Sequence, residues 1–115
     1  MAILKEQAAE LGNSTQNMVN AEVLRLDDGP DSVIALAFNI TCAPLGFSVR
    51  LFHTRYQIAS SYPVEVSSIF LSESGSWVSW TAKNQGELER ILQSIFSDRK
   101  TIRTVESLLA HVGSF

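Results

Sequence analysis

The sequence is short of the side chains that most often carry chemistry. Its one cysteine, Cys42, excludes an intrachain disulfide and any metal site built from several thiolates. The apolar residues around Cys42 suit a buried, inert thiol. With only two histidines, His53 and His111, a closed zinc site would have to be completed by carboxylates, and no ligand spacing suggests one. His111 falls near the end of the last expected helix, where a protonated imidazole complements the dipole. The chain contains no G-x-S-x-G elbow, no Walker loop and no G-x-G-x-x-G, so neither a serine nucleophile nor a nucleotide has a motif here. No catalytic residue, metal or cofactor is expected.

Long apolar runs are missing as well. No stretch approaches the roughly 20 apolar residues that a membrane helix requires. The segment MAILKEQAAELGNS lacks the basic start and extended apolar centre of a secretory signal, which makes the cytoplasm the expected location. Positive charge is scarce and scattered. Nine Lys and Arg stand against 12 Asp and Glu, for a net charge of -3, so no general field draws in phosphate backbones and nucleic acid is not an expected partner.

What remains is an ordinary globular composition, 45% hydrophobic and 18% charged over 115 residues, without a low-complexity tract. A chain of this length builds one core, so residues 1–115 are expected to form a single domain. Ile3, Leu4, Ala8 and Leu11 recur at helical spacing ahead of Gly12 and Asn13, which suit a helix stop. "VNAEVLRL" then alternates with period two, although Leu24 and Leu26 fall on its polar side. "DDGPDS" supplies turn residues between two strands; its Asp27, Asp28 and Asp31 lack the spacing and closing Glu of a calcium loop. "SVIALAFNI" is apolar on both parities, the pattern of a strand covered on both faces. "FSVRLFHTRYQI", "VEVSSIFL" and "WVSWTA" complete about five strands.

The period then changes. Leu88, Ile91, Leu92, Ile95 and Phe96 mark one face of a helix, with Asn84 as its cap and Glu87 as the second half of a capping box. Ile102, Val105, Leu108, Leu109 and Val112 mark the inward face of another, which Gly113 stops. Connections this short cannot make parallel crossovers. The expected fold is therefore α+β: an antiparallel sheet of about five strands, with an N-terminal helix and two C-terminal helices packed mainly on one face.

The stretch "LFHTRYQIASSYPVEV" places His53, Arg55 and Tyr56 within four positions. Strict alternation puts Phe47, Val49, Leu51, His53 and Arg55 on one side, and Ser48, Arg50, Phe52, Thr54 and Tyr56 on the other. His53 and Tyr56 then diverge and form no joint site. Both parities of β-surface are apolar, with Trp77 and Trp80 on opposite faces, so either the N-terminal helix or the curl of a twisted sheet covers the second face, or an apolar strip stays exposed there. An exposed apolar strip of that kind serves as a protein interface, with Trp77, Phe52, Tyr56 and Arg50 as its candidate residues. The expected function is non-catalytic protein binding, through a homodimer or an inhibitor or immunity-type partner whose basic charge the acidic chain opposes. The alternative is a small-molecule or enzymatic pocket between sheet and helices, served by His53, Arg50 and Cys42.

Overall fold

The computed structural model describes residues 1–26 and 31–112. The turn residues Asp27, Asp28, Gly29 and Pro30, and the helix stop Gly113, lie outside the described residues. The chain folds in the order α1 (Ala2–Ser14), β1 (Asn20–Leu26), β2 (Val33–Cys42), a 3-10 turn (Ala43–Leu45), β3 (Phe47–Gln57), β4 (Val64–Ser68), β5 (Val78–Ala82), α2 (Gln85–Ser97) and α3 (Arg99–Val112). The strands form one antiparallel meander in the order β1-β2-β3-β4-β5, each hydrogen-bonded to its sequence neighbour. This is the expected α+β architecture.

One buried cluster joins all the layers. Leu4 of α1, Leu88, Leu92 and Ile95 of α2, and Leu108 of α3 meet Leu36, Phe38, Ile40, Phe52, Val64 and Val66 of the sheet. All these strand residues share one face through their register, so the helices stand together on that side. Phe38 stacks on Phe52 with ring centroids 5.0 Å apart, and Phe96 closes edge-on at 5.4 Å from Phe38.

Local chemistry explains the ends of the elements. Gly12 does not stop α1, as its sequence position suggests; the helix runs through it to Ser14. A Cβ at Gly12 would sit 3.0 Å from Asn20 Oδ1, so the glycine permits the close approach of α1 to the start of β1. Gln16 and Asn17 then turn the chain in left-handed conformation. The capping box at α2 forms in a shifted version. The Glu87 N–H donates to Asn84 Oδ1 at 2.9 Å, while the Glu87 carboxylate accepts from the Lys83 N–H, one residue before the cap. Asn84→Ala is expected to lower stability by about 1 kcal/mol. Urea denaturation checks this, since the midpoint should fall at unchanged slope.

Two expectations about side-chain direction are overturned. The register of β2 against β3 shifts between Phe38 and Asn39, which pair with Phe52 and Arg50, so Leu51 has no opposite residue. Such a bulge reverses the parity along the strand. Phe47 and Val49 therefore lie on the same face as Phe52, Thr54 and Tyr56, while Ser48 and Arg50 lie with His53 and Arg55. Leu51 itself enters the core, and its carbonyl accepts a hydrogen bond from Ser68 Oγ at 2.7 Å, which satisfies a backbone group at the break in the ladder. In α3, Thr101 is buried and Ile102 is exposed, the reverse of their hydropathy.

The open face of the sheet as candidate functional site

The face away from the helices is built by β-strand alternation. Leu24 and Leu26 of β1, Ala35 and Ala37 of β2, His53 and Arg55 of β3, and Glu65 and Ser67 of β4 occupy successive register positions on it. Ser79 and Thr81 continue the rows on β5. None of α1, α2 or α3 covers this side. The two alanines are nonetheless buried, because each is short and flanked by longer side chains: Leu24 and His53 beside Ala37, Leu26 and Arg55 beside Ala35.

Trp77 rises at the entrance of β5 and is 57% exposed. Its ring stands edge-on to that of His53, centroids 5.0 Å apart at 82°. Beside this pair runs a shallow groove of about 480 Å³, bounded by Leu26, Arg50, Arg55, Glu65 and Ser79. Ser67 forms part of its floor, donating to Glu65 Oε1 at 3.4 Å and lying 3.0 Å from the Ser79 hydroxyl. Those hydroxyls fasten β4 to β5. A smaller recess of about 160 Å³ opens on the other side of Trp77, toward Ile69 and Phe70.

The sequence candidates separate as follows. Trp77, Arg50 and His53 come together on the open face. Phe52 does not: it is 1% exposed and packed in the core. Tyr56 is half-buried on the helix side, opposite Ile34. Cys42 is fully buried, also on the helix side, at the end of β2 and in register with Phe47. His53 and Arg50 thus lie on the far side of the sheet from Cys42, and these three residues share no pocket between sheet and helices. Leu24 and Leu26, set aside in the sequence as breaks in the β1 alternation, are the missed members of the face; that same irregularity was the signal. Among the described residues, no three His, Cys, Asp or Glu side chains are placed to hold a metal ion.

The arrangement offers an exposed indole, two guanidinium groups and a carboxylate on a shallow, mixed surface, which suits broad contact with another molecule more than enclosure of a substrate. No described helix is long and apolar enough to cross a membrane. Compared with protein families, curated proteins and solved structures, the chain matches none.

Proposed function

We propose that this protein is a non-catalytic protein-binding domain of the cytoplasm and that it self-associates through the open face of its sheet. The observation that carries the reading is Trp77, more than half exposed on a face that none of the helices covers. Tryptophan and arginine are the residues most enriched where binding energy concentrates, and Arg50 and Arg55 border the same groove. Charge favours a second copy over a basic enzyme as the partner. Arg50 and Arg55 share the face with Glu22 and Glu65, so a two-fold arrangement can bring the cations of one copy to the carboxylates of the other. An inhibitor of a basic enzyme would instead need a face dominated by carboxylates.

Light scattering over a range of concentrations tests this. The wild-type chain should pass from monomer to dimer, and Trp77→Ser should raise the dissociation constant about tenfold with no change in the thermal midpoint measured at concentrations where both chains are monomeric, because so exposed a side chain contributes little to the fold. A chain that stays monomeric at every concentration, or a Trp77→Ser variant that dimerises as well as wild type, refutes self-association through this face.

A further inference from the structure

We infer that the groove between α1 and the α2–α3 pair, on the opposite side of the molecule from the open sheet face, binds a basic amphipathic helix. It is formed by two adjoining hollows of about 370 and 660 Å³ that share Gln7, Glu10, Phe96 and Ile102. Its apolar lining comes from Ile3 and Leu11 of α1, Ile40 of β2, Phe96 of α2, and Ile102 and Val105 of α3. Ile102 is 42% exposed. It belongs to the apolar stripe of α3, yet it lines the groove beside Phe96 of α2 instead of lying in the core. Thr101 lines the same wall, and its buried hydroxyl has no hydrogen-bond partner.

Length and charge identify the occupant. Ile3 and Ser14 mark the extent of the groove along α1. Eleven residue steps of helix cover about 17 Å, room for roughly three turns of a second helix laid alongside. All the charged residues of the rim are acidic, Glu6 and Glu10 on α1, Glu89 on α2 and Glu106 on α3, with no Lys or Arg among the described lining residues. The Arg and Lys residues of α3, namely Arg99, Lys100 and Arg103, face a different hollow on the far side of that helix. An apolar floor between carboxylate rims complements a helix with a leucine-type stripe flanked by Lys or Arg. The same rim repels fatty-acid carboxylates and anionic membrane surfaces.

The test uses a fluorescein-labelled Leu/Lys amphipathic helix of about 14 residues, a scrambled peptide of the same composition, a Leu/Glu counterpart, and vesicles of phosphatidylserine and phosphatidylcholine. Wild-type protein should bind the Leu/Lys helix, more weakly as salt rises, and should bind the other three probes poorly. The double variant Glu10→Lys, Glu106→Lys should lose about tenfold in affinity for the Leu/Lys helix and gain affinity for the Leu/Glu helix. Ile102→Ser should weaken Leu/Lys binding, whereas Trp77→Ser should leave it unchanged, which separates this groove from the open sheet face. All the substituted side chains are exposed, so circular dichroism melting should show folded variants throughout. Equal binding of the scrambled peptide, preference for the vesicles, no binding of the Leu/Lys helix, or binding indifferent to both groove variants overturns the inference.

Discussion

Phe38→Ala is expected to cost about 3–5 kcal/mol of unfolding free energy, the range for emptying a buried aromatic site. Phe38 has no solvent exposure and occupies the central part of β2, between β1 and β3. Its ring joins three elements of the molecule. It lies parallel to Phe52 of β3 and takes the edge of Phe96 from α2, which also meets Phe52 edge-on at 6.2 Å. Without the ring, Phe52 and Phe96 lose their common partner and a cavity opens beneath the helix layer. Backbone collapse into that space is restrained on both sides, by the β1 ladder and by the bulge that begins after Phe38. Urea denaturation followed by far-UV circular dichroism gives the number. A loss below about 1 kcal/mol would mean that the neighbouring rings close over the gap, and that this trio is not the centre of the core.

The elements were legible because each followed a local period. The meander could be drawn from turn residues and short connections alone, and α2 from its leucine and isoleucine spacing and its Asn84 cap. Side-chain direction was legible only as far as the period held. One extra residue at Leu51 moved Phe52 and Tyr56 from the proposed interface to the helix side and carried Arg50 onto the same face as His53. A bulge is fixed by tertiary contacts, here the Ser68 hydroxyl on the Leu51 carbonyl and the burial of Leu51 itself, which no short-range pattern announces. The order of Thr101 and Ile102 was hidden for a similar reason. Hydropathy places isoleucine inward, but the rotation of α3 about its axis is set by its packing on α2 and the 3-10 turn. That rotation buries the hydroxyl and leaves the methyl groups beside a groove.

The bulge in β3 and the rotation of α3 redistribute the apolar surface of the molecule. The sequence implied a rich strip on the second face of the sheet, yet Ala35 and Ala37 are too short to project and Phe52 is absent from it. The face keeps Trp77, Leu24 at 39% exposure and Leu26 in a polar surround, closer in character to a partner-binding surface than to half of a core. Apolar surface that the sequence assigned to helix packing instead appears between α1 and α3. The two surfaces lie on opposite sides of the sheet.

Thr54→Val is expected to stabilise the protein by about 1–3 kcal/mol, the desolvation penalty of a buried polar group that makes no hydrogen bond. Thr54 is fully buried on the helix side of β3, and its Oγ1 has no hydrogen-bond partner. Leu36 stands opposite it on β2 and Val66 on β4, so a methyl group in place of the hydroxyl would meet apolar neighbours of the right kind on both sides. Valine has nearly the same shape and suits a strand equally well. Backbone register and packing therefore stay as they are, and the change isolates the cost of hiding one hydroxyl. Denaturant melts of wild type and variant under identical conditions measure it: the midpoint should rise with an unchanged slope. A less stable Thr54→Val would show that the hydroxyl is hydrogen-bonded in solution, most simply by a water held within the core, and that this position contributes to the fold through polarity instead of through packing.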